Sequence, residues 1–321
     1  MEYSQTINQL VSQARTKRIL VIGDVMLDQY IHGSHAGQSP EAPVPVIRHE
    51  SSFSRPGGAA NVALSLSSMG ASTTLVGVCG DDRHGAELIE LLQSEERLAI
   101  HLYSSPERRT TCKTRIIAGD AHVLRYDEED RELLTTKESE ALGLMIEQAI
   151  ADTDLVVLQD YNKGTLTPPL IEYAINKCHE LDVPVLADPK RLHISNYQGA
   201  TLLKPNEKEL RQIAADMALS GENVEGLATE LHRVLELKHL LVTRGAQGAI
   251  LVSYGENRRY EAEEIDLIDV CGAGDAVITM MAIALSCGEG IDSATRLGLH
   301  AAAVCCQHLG VYRMRAIDFT T

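Results

Sequence analysis

The sequence predicts an α/β fold in which helices sandwich a mostly parallel sheet, and three observations carry that expectation. Short runs rich in Val, Ile and Leu recur along the chain, stretches of helical period separate most of them, and several runs are apolar throughout. Strands covered by helices on both faces read this way, because neither face meets water. In chain order the strand candidates are residues 18–23, 73–78, 154–158, 183–187, 201–203, 239–243 and 249–253. Between them lie identifiable helix starts. Thr135 and Glu138 have capping-box spacing ahead of 141–150, and Thr167 precedes Pro168, a proline tolerated in a first turn.

Two stretches break the alternation. One holds the passage Ser39-Pro40-Glu41-Ala42-Pro43-Val44-Pro45 and the other has strand candidates at 100–103, 110–117 and 123–126. Without helices between their strands, residues 29–50 and 98–127 are expected to form a small β-element projecting from the sheet. A lid that excludes water from a cleft and a layer used only for packing two copies together fit the pattern equally. No repeat, low-complexity tract or long linker appears, so residues 1–321 are expected to be a single domain with that lid.

Composition narrows the function. With 321 residues, 44% of them apolar, the chain can build a core without staples. A net charge of −16 argues against a nucleic-acid partner, whose phosphates need Lys and Arg. The seven cysteines are odd in number and lack C-x-x-C spacing, and the twelve histidines lack H-x-x-x-H pairing. Reduced thiols are expected, with neither a zinc site nor a disulfide frame. Met1 to Thr16 is polar, and no apolar run approaches the ~18 residues of a membrane span. A soluble, cytoplasmic protein with no membrane partner is expected.

The sharpest chemical signal is Asp269-Val270-Cys271-Gly272-Ala273-Gly274-Asp275-Ala276 ahead of an apolar helix. Glycines before a helix let backbone N–H groups approach an anion, and the helix N-terminus adds partial positive charge. Asp275 at its edge is placed to accept the proton of an attacking hydroxyl. The helix end should hold its pKa low, which phosphoryl transfer tolerates because its transition state is loose. A plain glycine turn with Asp275 as an ordinary first-turn residue is the competing reading.

Other segments are ambiguous in the same way. Arg55-Pro56-Gly57-Gly58-Ala59-Ala60-Asn61 suits either a sugar's hydroxyls, through the Asn61 amide, or a tight turn into a packed helix. Asp24 and Asp28, after an apolar strand, suit sugar hydroxyls or a turn cap. Asn206-Glu207-Lys208-Glu209 has capping-box spacing, and Glu209 also suits a hydrated Mg²⁺. Thr243, Gly245 and Gly248 fit a nucleotide phosphate or a simple hairpin. Asp160-Tyr161-Asn162-Lys163-Gly164 and Asp188-Pro189-Lys190 follow strands but also read as turns. Arg108, Arg109, Lys113, Arg115 and Arg125 make the lid basic, for a substrate phosphate or merely as a solvated face.

No P-loop pattern is present. Gly57-Gly58…Asn61 and Asp269…Gly272-Ala273-Gly274-Asp275, in that order, resemble the ribokinase-like (PfkB) carbohydrate kinases over essentially the whole chain. With Gly23-Asp24-Val25-Met26-Leu27-Asp28, the Ser39–Val46 passage, Asp160-Tyr161…Lys163-Gly164 and Asp188-Pro189-Lys190, the resemblance is to the branch that phosphorylates D-glycero-β-D-manno-heptose 7-phosphate. It implies a ribokinase-like three-layer α/β/α sandwich, ATP and Mg²⁺ as cofactors, and transfer to O1 on the way to the ADP-heptose of lipopolysaccharide core. It implies Asp275 as base, with Gly272, Ala273 and Gly274 as anion hole. Asp24, Asp28, Gly57, Gly58, Asn61, Lys113, Arg115, Asp160 and Lys163 would bind the sugar phosphate. Asn206, Glu207, Lys208, Glu209, Thr243, Gly245 and Gly248 would bind ATP, with Glu209 on the metal, and a homodimer would form through the lid. Members of this branch often carry a following adenylyltransferase half; the chain stops at Thr321, so a stand-alone kinase is expected. Departures include Cys271 where relatives usually have Thr, and Leu309-Gly310-Val311 without the usual small polar residue. Another sugar kinase of the family and a non-catalytic sugar-binding regulator are the alternatives. A dinucleotide oxidoreductase would need G-x-G-x-x-G after the first strand, and Gly23-Asp24-Val25-Met26 does not supply it.

Overall fold

The computed structural model describes residues 3–119 and 121–319. Met1, Glu2, Asp120, Thr320 and Thr321, which the expected domain and lid ranges include, lie outside the described residues.

A nine-stranded sheet forms the middle layer, in the order β13-β12-β11-β10-β9-β8-β1-β4-β5. These strands are β1 (Arg18–Gly23), β4 (Ser72–Gly80), β5 (Leu98–Ser105), β8 (Leu155–Gln159), β9 (Val185–Asp188), β10 (Leu202–Leu203), β11 (His239–Thr243), β12 (Ala249–Ser253) and β13 (Glu256–Tyr260). All pairs from β5 to β11 are parallel, and β12 and β13 close the far edge antiparallel. Alternate residues explain the three layers. Ile19 and Val21 of β1 pack into a core with helices α1 (Ser4–Ala14), α2 (Ala59–Ser68), α8 (Ala273–Ser286) and α9 (Ile291–Cys305), while Leu20 and Ile22 pack into the opposite core. That second core is covered by α4 (Thr136–Ile150), α5 (Pro168–Glu180), α6 (Glu207–Asp216) and α7 (Val224–Val234). The expected α/β/α sandwich is what forms.

The second sheet has four strands, β3-β2-β6-β7: β2 (Val25–Gln38), β3 (Pro45–Gly58), β6 (Cys112–Ala118) and β7 (Ala121–Glu128). It leaves the body where β1 ends and returns at Gly57-Gly58, so it projects from the carboxyl edge of the large sheet. The expected lid boundaries need correcting. Residues 98–105 are β5, an edge strand of the large sheet reached through helix α3 (Arg83–Gln93), because a helical crossover returns the chain parallel to β4. Residues 25–28 and 51–58 belong to the small sheet instead. Both expected capping boxes are present, at Thr135 with Glu138 and at Asn206 with Glu209. Thr167 stands at its N-cap without a side-chain bond. Among the described residues no helix is long and apolar enough to cross a membrane.

Candidate active site

Strand register assembles the site floor. Gly23 pairs with Gln159, Gln159 with Asp188, and Lys204 follows the Leu203–Ala187 pair. Polar ends of four neighbouring strands therefore lie side by side at one edge, where the strand order reverses about β1. Gly23 is required there, since a Cβ would stand 2.0 Å from the Gln159 carbonyl oxygen.

Helix α8 sets its N-terminus above this row. Gly272 takes φ 81°, in the left-handed region, to turn the chain into the helix. The preceding turn is pinned by Asp269, whose carboxylate accepts from the N–H of Cys271 (3.0 Å) and of Gly310 (2.9 Å). Burial works against its charge, but those amides hold the carboxyl below its usual range. Cys271 thus holds the turn through its backbone N–H, and its thiol bonds the same Asp269 carboxylate.

Asp275, in the first turn of α8, is 4% exposed and held by three donors. Tyr161 donates its hydroxyl to Oδ1 at 2.6 Å, Gln159 donates Nε2 to Oδ1 at 3.0 Å, and Asn61 donates Nδ2 to Oδ2 at 3.1 Å. A carboxylate offers about four lone-pair positions, so one on Oδ2 is left for an incoming hydroxyl. The expectation of a low pKa is reversed. Burial raises it to about 6, with Asp188 adding to the rise and the hydrogen bonds and Lys204 opposing it. Desolvation outweighs the helix end.

Two lysines supply positive charge beside the base. Lys204 is 3% exposed and pairs with Asp188 at 2.9 Å. Gln159 Nε2 also reaches Asp188, at 3.3 Å. Lys190 donates to Glu209 Oε1 at 2.6 Å and lies 5.1 Å from the Tyr161 ring centroid. Gly274 leaves room for them: a Cβ there would meet Lys204 Nζ at 3.3 Å.

These groups open into a cleft of ≈ 620 Å³. Its polar end holds Gly272, Gly274, Asp275, Lys190 and Lys204, and its far wall includes the apolar Val277, Leu299, Ala302 and Leu267. Asn206, Glu209, Thr243, Gly245 and Gly248 also line it, as expected of nucleotide contacts. Glu207 and Lys208 do not. Glu207 is turned to Arg211 and Arg244, and Lys208 is exposed on the outer face of α6. Glu209 does two things at once: Oε2 closes the cap on Asn206 N, and Oε1 faces Lys190. Asp188 and Glu209, two carboxylates rather than a full cage, fit a Mg²⁺ that keeps waters and leans on substrate phosphates.

On the other side of Asp275 the small sheet pairs Asp28, 2% exposed, with Arg55 and sets its carboxylate over Gly57. Arg115 forms a very short ion pair with Asp28 and sits 5.3 Å from the Tyr30 ring centroid. Burial pushes the Asp28 carboxyl up, while the Arg115 charge and hydrogen bond pull against it. A Cβ on Gly57 would stand 2.0 Å from Asp28 Oδ2. Gly57→Ala should therefore displace this carboxylate and raise KM for the acceptor sugar by about tenfold to a hundredfold, with KM for ATP unchanged; steady-state kinetics in both substrates checks it.

Several expected sugar contacts have other partners. Asp24 is buried, and its carboxylate accepts from the backbone N–H of Tyr161 (2.7 Å), Lys163 (3.0 Å) and Thr165 (3.1 Å). It shapes the loop that carries Tyr161. Asp160 faces Tyr197 (2.7 Å) and Asn162 N, and burial with Asp24 nearby pushes its carboxyl well above the usual range. Lys113 and Lys163 converge on Glu129, Lys113 at 3.3 Å. Burial opposes its charge, but hydrogen bonds from Lys163 and Arg131 hold the Glu129 carboxyl at about 2. Arg108 is no lid residue: it pairs with Glu138 at 3.4 Å and donates to the Glu132 carbonyl at 3.0 Å. Arg109 pairs with Asp130, and Arg125 with Asp127. Sequence reasoning gave no role to Gln159 or Lys204; the only signal was a polar residue closing an otherwise apolar strand.

Known proteins resemble the chain in sequence and in fold. The family described as pfkB family carbohydrate kinase matches residues 16–316. Among curated relatives, the Bifunctional protein HldE of Hyphomonas neptunium is 36% identical over 304 residues, covering 94% of this chain and 62% of its own length. That of Campylobacter jejuni is 39% identical over 302 residues, covering 94% and 63%. The chain thus spans less than two thirds of the length of the curated relatives it matches. Among solved structures, Escherichia coli phosphofructokinase-2 in complex with potassium has a TM-score of 0.77 at 19% identity, over 94% of this chain and 96% of that one. Arabidopsis thaliana ribokinase complexed with ribose and ATP has a TM-score of 0.71 at 19% identity, over 95% and 99%. These structural likenesses share the fold.

Proposed function

The chain belongs to the pfkB family of carbohydrate kinases, phosphotransferases that act on an alcohol group, and from that premise we propose that it transfers the γ-phosphate of ATP to O1 of D-glycero-β-D-manno-heptose 7-phosphate. The kinase reading rests on one observation above all: Asp275, buried and oriented by Asn61, Gln159 and Tyr161, next to the glycine turn at the N-terminus of α8. The heptose reading is supported by the motifs of the first and second strands and of the loop after β8, and by the HldE relatives.

In this mechanism the acceptor hydroxyl docks on Oδ2 of Asp275. In the first turn of α8 the Ala273 N–H is drawn to the Val270 carbonyl at 3.3 Å, so the amides of Gly274 and Asp275, lacking intrahelical acceptors, point at the migrating phosphoryl group, and Lys190 and Lys204 neutralise its charge. The hydroxyl proton passes to Asp275 as the O–P bond forms, and ADP leaves along the apolar wall. Glu209 and Asp188 would hold Mg²⁺, which would supply positive charge against the phosphates. Arg115 and Asp28 orient the sugar ring, and Lys113 and Lys163 exchange part of their hold on Glu129 for the 7-phosphate. The exposed Leu124 and Tyr126, on the face of β7 opposite Arg125, supply an apolar surface that a second copy would cover. The seven free cysteines suit the reducing cytoplasm.

ADP release measured over a panel of heptose 7-phosphate, fructose 6-phosphate, ribose and unphosphorylated heptose tests this. The heptose phosphate should give the highest kcat/KM, with phosphorus NMR placing the new ester on the anomeric carbon. Turnover of another sugar and none of heptose 7-phosphate would overturn the substrate while leaving the kinase.

A further inference from the structure

Away from the cleft, three side chains of metal-ligand type meet where the small sheet joins the body. A ligand atom from each of His84, Cys112 and Glu128 lies within 4.8 Å of those of the other two. Their positions are structurally fixed. Cys112 opens β6 and Glu128 closes β7, and the two are direct partners across that antiparallel pair. His84 belongs to the first turn of α3, a helix of the body. Asp82 ties that turn to the loop ahead of β6, accepting from Gly85 N and from Thr110 N, both at 2.8 Å. Glu87, one turn along α3, adds negative charge near the same sulfur.

We propose that His84, Cys112 and Glu128 form a Zn²⁺ site that fastens the root of the small sheet to α3. Imidazole, thiolate and carboxylate form a donor set that Zn²⁺ accepts, and a water completes the tetrahedron. Zinc ligands sit closer together than 4.8 Å, so the ion draws the strand ends toward the helix. Binding forms a metal–sulfur bond, and the thiol proton leaves to solvent. Among the described residues no hydrogen bond or ion pair joins these three to Asp275 or its donors, so this site acts on the sheet that flanks the cleft and not on the chemistry.

Metal-free full-length protein titrated with Co²⁺ tests the idea, because a cobalt–thiolate bond gives a near-ultraviolet charge-transfer band. One equivalent should bind with that band, and Zn²⁺ should displace it and raise the melting temperature. Cys112→Ser should abolish the band, and Cys271→Ser should keep it. His84→Ala, at a half-buried position on the helix, should fold as the parent by circular dichroism and bind Zn²⁺ about tenfold or more weakly. Should Cys112→Ser fail to fold, Glu128→Gln replaces it, with the same weakening expected. No binding, a cobalt spectrum without the thiolate band, a band that survives Cys112→Ser, or undiminished Zn²⁺ affinity in His84→Ala would overturn the site.

Discussion

Asp275→Asn is expected to lower kcat by about 10²–10⁴-fold while leaving ATP affinity close to that of the parent. The substitution keeps shape and removes the basic lone pair. It also forces an amide N–H₂ toward a site where Tyr161, Gln159 and Asn61 all donate. The acceptor's proton then has nowhere to go as the new bond forms. Because the proton moves only along the reaction coordinate, the cleft lining at Thr243, Gly245 and Gly248, proposed to meet the nucleotide, is untouched. Steady-state kinetics with isothermal titration of a non-hydrolysable ATP analogue checks both halves. A kcat within a few-fold of the parent would remove Asp275 from the role of base.

The raised pKa gives this residue a second signature. Only the ionised carboxylate accepts a proton, so kcat/KM should fall on the acid side with an apparent pKa near 6. Stability runs the other way. The folded protein holds a proton on Asp275 more tightly than the unfolded chain does, so burying this carboxyl favours folding at low pH. That advantage is lost as pH rises from the ordinary carboxylate range through about 6. The Asn variant carries no such charge. It should gain on the parent in unfolding free energy across the same interval, provided its misplaced amide costs the same at each pH.

The large sheet was legible because its strands are buried on both faces and so read as continuous apolar runs. What escaped the sequence escaped for physical reasons. β13 is an edge hairpin strand, Glu256-Asn257-Arg258-Arg259-Tyr260, with only Tyr260 buried, so no period marks it. β5 alternates like a lid strand, and only the crossover helix α3 assigns it to the body. In the site, Asp275 and Asn61 were visible because glycines flag close backbone approach, and the structure joins them across 214 residues. Gln159 and Lys204 carry no such flag. Their place follows from strand order and register, which set Gln159, Asp188 and Lys204 in one row. Asp24 shows the converse: a carboxylate at a strand end looks like a ligand group until three backbone amides are found to draw on it.

Lys204→Met should destabilise the fold by about 3–5 kcal/mol, more than a change at the rim of an active site would suggest. Lys204 and Asp188 are 3% and 4% exposed, and their 2.9 Å pair lies under the first turn of α8. Methionine fills most of the lysine volume, so a cavity contributes little. The cost is the Asp188 carboxylate, left with Gln159 at 3.3 Å as its side-chain donor and only the Lys190 charge nearby. Two consequences separate this from a simple loss of packing. The double variant Lys204→Met with Asp188→Asn should recover most of the stability, since no uncompensated charge is left. It should not recover activity, because the phosphoryl group still lacks a cation that no neutral pair replaces. Denaturant unfolding of the parent, both single variants and the double variant closes the cycle. If Lys204→Met costs under about 1 kcal/mol, solvent reaches this pair and the floor of the cleft is not the dry, charge-paired row that the register builds.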